Sequence, residues 1–338
     1  MNIFTINNLL YLIPFAIISG PFLSDVFVSL SGIITLILFF YKKKYFLLNN
    51  IFFKLFILWC IIILTSSFLS SHTFLSLESS LFYFRFGLFT MLIYYLLVLE
   101  KENLKKILIS LRVCLIFLIF DGYFQYYFGF NIFGFEGPIN SSRFAGIYRD
   151  ELVLGSIISR LIPIYFAIEL YYNYKKLNYY FISIFLFFYP LLFLIGERTA
   201  ILLGAITIFF TLIFFKIKIN IKLLIIYLIS IILIIFSILY FDNNNRSRLL
   251  NLTADQFTDQ KTNSFALPYE YMGFYITSFK MFVEKPFLGH GPKTYRMICK
   301  EEKYNIIYNH ASGEDNCSTH PHNTYMQLIG ETGFIGTI

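Results

Sequence analysis

Nine apolar runs, each close to the length that spans a bilayer core, dominate this sequence. They fall near residues 8–23, 25–41, 51–69, 81–99, 107–128, 152–172, 179–195, 199–215 and 223–241. A transmembrane helix needs about 20 predominantly apolar residues, so the chain reads as all-α, a polytopic transmembrane helix bundle. A tenth run opens near Asn323 and is still apolar at Ile338, where the sequence stops without a polar flank. That gives about ten helices and points to one or more beyond. The composition agrees. The 338 residues are 57% hydrophobic and 14% charged, against roughly 45–50% and about 25% in soluble domains. A water-soluble globular enzyme and a disordered chain are both excluded.

The net charge of +7 does not indicate nucleic acid as a partner. The lysines sit in short loops between apolar runs, where they set topology. Lys42–Lys44, Lys101 with Lys105 and Lys106, Lys175 with Lys176, and Lys216, Lys218 and Lys222 follow the second, fourth, sixth and eighth runs. If the runs alternate, all four loops share one side, and the positive-inside rule makes it cytoplasmic. No Lys or Arg precedes the first run and no small-residue cleavage site follows it, so it reads as a retained helix. Residues 1–241 then hold the transmembrane helices, 242–322 form one large periplasmic loop, and 323–338 begin a further helix.

Within the long loop Pro268 opens an amphipathic helix. Met272, Tyr275, Phe279, Phe282 and Val283 recur at helical spacing, and Pro286 ends it. A helix lying on the membrane and a lid packed on the bundle fit this pattern equally. Cys60 and Cys114 lie in apolar runs as inert core residues. Cys299 and Cys317 lie in the loop and can pair as a disulfide if it faces an oxidising compartment.

The same outer side collects the chemistry. Four of the five histidines, His290, His310, His320 and His322, lie in the long loop. A neutral imidazole at a bilayer surface can take a proton from a sugar hydroxyl. A metal site is the poorer reading of His320-Pro321-His322-Asn323, because proline breaks the register that ligands need. A capping or hydrogen-bonding role is the plainer alternative. Arg198 sits in the short turn Gly196-Glu197-Arg198-Thr199, where it either grips a phosphate with two parallel hydrogen bonds or merely pairs with Glu197. Arg143 and Arg149 flank Phe144–Tyr148, and Arg246 and Arg248 follow the ninth run, where plain interface anchoring is the alternative. Arg85, Asp121, Arg160 and Glu169 lie inside apolar runs and must pair or line a polar cavity.

Four stretches together resemble the O-antigen ligase and polymerase superfamily. Pro286-Phe287-Leu288-Gly289-His290-Gly291 resembles its P-x-x-G-x-G turn. His322-Asn323, Gln327, Glu331, Gly333 and Gly336 resemble its H-N-x-x-x-Q-x-x-x-E-x-G-x-x-G element. Arg143–Tyr148 is similar to its R-x-x-G-x-[FY] turn, and Gly196–Ala200 to its S-R-T/S-A turn with Glu197 in place of the usual Ser. The resemblance covers roughly residues 80–338.

It implies an inner-membrane enzyme of lipopolysaccharide biosynthesis, with inverting, metal-independent glycosyl transfer on the periplasmic face and no cofactor. The donor would be a polyprenyl-diphosphate-linked glycan. The acceptor would be a sugar hydroxyl, on lipid A-core for a ligase or on another repeat unit for a polymerase. Transfer to a protein hydroxyl is a related reading, and a lipid or glycan transporter is the rival from another class. By resemblance His322 is the general base, Arg198 holds the diphosphate, and Arg143 lines the cavity. The remaining candidate substrate-binding residues are Arg149, Arg246, Arg248, Arg296 and Asn323. Family members carry a second arginine early in the segment leading to the P-x-x-G-x-G turn. This chain has none between Arg248 and Arg296, so Arg246, Arg248, Lys280 and Arg296 compete for that role.

Overall fold

A computed structural model describes residues 8–99, 102–137, 143–173, 179–214, 221–251, 253–254, 269–304 and 317–338. His310, Lys101, Lys175, Lys176, Lys216 and Lys218 lie outside them, as does most of the polar stretch before Pro268. The fold is all-helical. The principal helices are α1 (Leu9–Ile18), α2 (Pro21–Phe40), α3 (Ile51–Phe68), α4 (Thr73–Ser80), α5 (Phe84–Leu99), α6 (Asn103–Phe128), α7 (Leu154–Asn173), α8 (Tyr179–Ile195), α9 (Arg198–Phe214), α10 (Ile221–Phe241), α11 (Tyr269–Glu284) and α12 (Thr324–Thr337). Several are long and apolar enough to cross a bilayer, which makes this a multi-pass membrane protein.

Local chemistry sets the helix ends. The first two apolar runs divide at Gly20, which takes φ +102°. Pro21 then opens α2, where its missing N–H costs nothing. The break therefore falls a few residues earlier than apolarity alone suggests. The Asn50 side chain caps α3 by accepting from Phe52 N at 2.9 Å and from Phe53 N. Gly129 closes α6 in the left-handed conformation. Helix α4 falls in a stretch expected to be loop. Its buried face is Ser76 and Ser80, and a helix that buries serines carries no apolar stripe. Ser67 and Ser80 hydroxyls bond each other at 2.7 Å, and Ser76 donates to Ser67 at 3.0 Å.

The contacts gather into two compact units, Met1–Phe27 with Leu96–Ala254, and Val28–Tyr95 with Asp255–Ile338. In the first, α6 packs on α1, α7 and α8, and α7 packs on α9. Its core includes Leu111, Leu115, Leu118, Ile162, Phe166 and Phe188, all buried. In the second, α12 packs on α11 and α3. There Phe274, Met281, Tyr295, Ile298 and Tyr304 form a smaller core beside Cys299, which is bonded to Cys317 with Cα atoms 5.1 Å apart. Cys60 and Cys114 are free thiols and buried.

Helix α11 forms where the sequence places it, but it buries another face. Phe274, Thr277, Ser278 and Met281 are buried, whereas Phe279 and Val283 remain 56% and 62% exposed. Gly330 explains the choice. A Cβ there would sit 3.1 Å from the Ser278 carbonyl, so a bare glycine lets α12 approach the small-residue face of α11.

Among the charges inside the apolar runs, Arg112 and Glu169 pair across two of them. Glu169 is buried and takes a bidentate grip from Arg112, Nε to Oε2 at 3.1 Å and Nη2 to Oε1 at 3.0 Å. Asp121 accepts from the Ile132 N–H at 2.9 Å. Arg85 donates to the Ser29 hydroxyl at 3.3 Å. Arg160 lines a cavity of about 460 Å³ between α7 and α9, with Pro163, Leu203 and Phe210 among its walls.

Candidate functional site

In the first unit an arginine cluster is built from the end of α6 upward. Gln125 accepts from Gly146 N–H at 2.7 Å, and the Asn131 side-chain amide donates to Gly146 O at 2.7 Å. Gly146 has φ +60°, and a Cβ would fall 2.9 Å from Asp121 Oδ2 and 3.1 Å from Leu154. Only glycine fits the bend, which fixes the neighbouring Arg143. That guanidinium donates from Nη2 to Leu152 O at 2.8 Å and lies 3.3 Å from Glu197 Oε2.

The second strut is the turn between α8 and α9. Gly196 takes φ +70°, and a Cβ there would lie 3.2 Å from Arg248 Cδ. Arg248 uses that space, donating from Nε to Gly196 O at 2.9 Å. Arg198, the first residue of α9, donates to Arg248 O at 3.1 Å. Asn245 donates to Leu194 O at 3.1 Å, tying the same segment to the end of α8. Burial, and then the charges of Arg143 and Arg198, push the Arg248 guanidinium below its ordinary value, while Glu197 acts in the opposite sense. A guanidinium remains charged at neutral pH, so Arg143, Arg198 and Arg248 make a compact positive centre.

Two further candidate arginines of this unit are not part of the cluster's hydrogen bonds. Arg149 has φ +55° and rests over the Phe135 ring at 3.9 Å, a cation–π contact. Arg246 is exposed. Glu197 sits inside the cluster, against Arg143. The turn alone suggested only a pair with its neighbour Arg198. No local signal reveals a partner fifty-four positions away.

In the second unit two motifs interlock backbone to backbone. Gly289 and Gly333 have φ +63° and +64°. A Cβ on either would lie within 2.6 Å of the other segment's main chain. Gly291 N–H donates to Glu331 O at 2.7 Å, and Phe334 N–H to Pro286 O at 2.8 Å. The buried Glu331 carboxylate accepts from Lys293 N at 2.9 Å, Tyr295 N at 3.0 Å and the Gln327 amide at 3.1 Å. Gln327 and Glu331 stood in the sequence only as motif positions, and they are the clamp on this turn. Arg296 lies within electrostatic reach of Glu331 and so serves this scaffold.

The scaffold supports the N-terminus of α12. Asn323 caps it, accepting from Tyr325 N at 2.9 Å and Met326 N at 3.2 Å. His322 precedes it with φ +53° and is exposed. Its ring lies 5.7 Å from that of Tyr271, 5.3 Å from Phe274 and 4.4 Å from His320. Partial burial and then His320 hold His322 below the ordinary histidine value, so it is neutral at pH 7. His290 differs. It is buried, with Nε2 3.1 Å from Met281 O and 3.5 Å from the Tyr304 hydroxyl, which donates to Glu284. That is a structural histidine. Among the described residues no group of three or more His, Cys, Asp or Glu is placed to hold a metal.

Comparison with known proteins adds one finding. Residues 182–338 match the family model for O-antigen ligase, a span that includes Arg198, Arg248, the glycine interlock and His322. No curated protein and no solved structure matches the chain. Over residues 182–338, a little under half of its length, the chain is similar to the O-antigen ligase family.

Proposed function

We propose that this protein is an inner-membrane glycosyltransferase. It moves a glycan from a polyprenyl-diphosphate carrier to a sugar hydroxyl of lipid A-core on the periplasmic face. The observation that carries this reading is the gathering of Arg143, Arg198 and Arg248 around one turn, which suits an anion with oxygens on two phosphorus atoms. Arg248 then fills the role of the second diphosphate arginine.

As the bond from the anomeric carbon to the diphosphate oxygen breaks, its electron pair stays with the diphosphate. Guanidiniums already in place stabilise that growing charge without reorganising. His322, neutral at working pH, takes the proton of the attacking hydroxyl. Attack opposite the leaving diphosphate inverts the anomeric carbon, and the arginines supply the positive charge for which a metal would otherwise be needed. A transporter would need working charges deep in the bundle. Arg112 and Glu169, one pair so placed, are closed on each other.

The test is a lipopolysaccharide gel from a ligase-null host expressing the full-length protein, beside its H322A and R198K variants. Wild type restores laddering, H322A abolishes it, and R198K falls by about 100-fold or more, the typical cost of one lost transition-state donor. Long-chain glycan accumulating on the carrier without laddering overturns the ligase in favour of polymerisation or transfer to protein. Full activity of R198K removes the diphosphate assignment.

A further inference from the structure

Glu197 is a carboxylate built into a site that reads as anion-binding, and the surrounding chain makes room for it. Gly155 is the clearest sign, because a Cβ there would lie 2.7 Å from Glu197 Oε2. The Ser156 N–H donates to the same oxygen at 2.9 Å, and the Thr199 hydroxyl lies 3.4 Å from Oε1. The side chain is only 11% exposed, and Arg143 Nη2 stands 3.3 Å away. A buried negative charge beside three guanidiniums opposes the binding of another anion. That cost calls for a compensating use.

The chemistry of donor and product supplies one. The glycan donor is a diphosphate diester, with one negative charge on each phosphate. When the sugar leaves, the diphosphate keeps the electron pair of the broken bond and becomes a terminal phosphate. That phosphate carries a further negative charge, titrating near neutral pH. The product is therefore the more negative ligand, and arginines alone would hold it more tightly than the donor.

We propose that Glu197 is the positioning residue that tempers the arginine cluster, so that it accepts the diphosphate diester yet releases the spent carrier. This rests on the diphosphate reading of the cluster. Glu197 holds Arg143 in place and repels the additional charge that appears only after transfer.

The test uses the purified full-length protein with two probes, inorganic pyrophosphate for the product and P1,P2-dimethyl diphosphate for the diester. E197Q should bind pyrophosphate about tenfold more tightly, the scale of one nearby charge removed, and the less charged diester by a smaller factor. Its donor KM and kcat should fall together, because release becomes slow, and pyrophosphate should inhibit it more strongly. E197D should keep the wild-type preference. E197S, which also removes the charge, should shift pyrophosphate in the same direction as E197Q. Unchanged or weaker pyrophosphate binding in both uncharged variants overturns the proposal and leaves Glu197 as a tether for Arg143. Pyrophosphate binding that R198K and R248K do not weaken is a separate result, and it removes the diphosphate reading itself.

Discussion

At the scale of the residue, burial divides the histidines into different kinds of group. His290 is enclosed against Met281 and Tyr304, whereas His322 stands exposed before the cap of α12. The sequence places both in one loop and offers no means of separating them, because burial comes from the folding of α11 and the 295–304 turn around His290. As a base His322 works in its neutral form, so kcat/KM rises with pH and levels off above its pKa. Burial first and His320 second hold that pKa below the ordinary value of 6.5. Most of the rise should thus lie below neutral pH. H320N removes the second cause and not the first, so it should move the acid limb upward only in part. A pH–rate profile of both proteins checks this, and a rate still climbing through about pH 8 would assign the base to a group with a higher pKa.

At the scale of the element, the apolar runs made the spanning helices legible, and the amphipathic pattern located α11. The choice of face did not follow, because α11 packs its Thr277 and Ser278 side against Gly330 instead of its most apolar side. Helix α4 escaped notice because its buried residues are serines. The two C-terminal motifs were legible as patterns, but their spacing does not say that Gly289 and Gly333 press main chain against main chain. That contact makes a graded prediction. Gly134 has φ +81° with open space around it, whereas a Cβ on Gly333 would lie 2.5 Å from the Phe287 carbonyl carbon. G134A should cost only the left-handed strain, about 1–2 kcal/mol. G333A should add overpacking of about 1–3 kcal/mol and reduce transfer by displacing α12. Thermal unfolding of the two variants in detergent decides it, and equal losses would mean that the interlock yields freely.

At the scale of the whole molecule, one helix carries the expected sidedness of the arginine cluster. Helix α6 has 26 residues, about 39 Å at ~1.5 Å per residue, longer than a hydrocarbon core of ~30 Å. Lys105 and Lys106 lie in its first turn, and Gln125 near its other end holds the turn that carries Arg143. Positive charge near one end argues that this end is cytoplasmic, and the proposed function requires the arginine cluster at the opposite end, where a lipid-linked glycan would be presented. For the segment that holds it, the Cys299–Cys317 bond carries its own expectation of an oxidising compartment, where disulfides persist. Impermeant maleimide on intact spheroplasts should therefore label a cysteine placed at Asp150, which is exposed just beyond that turn. It should not label one placed at Lys105 until the membrane is opened. Cys60 and Cys114 are buried and should stay silent in both cases. The inverse pattern would put the cluster on the cytoplasmic face, where a periplasmic transferase has no use for it. Cutting the disulfide should leave the labelling pattern intact while removing about 3 kcal/mol of loop-closure stabilisation for its 18-residue separation, because topology is set by the lysines and apolar helices and not by the outer loop.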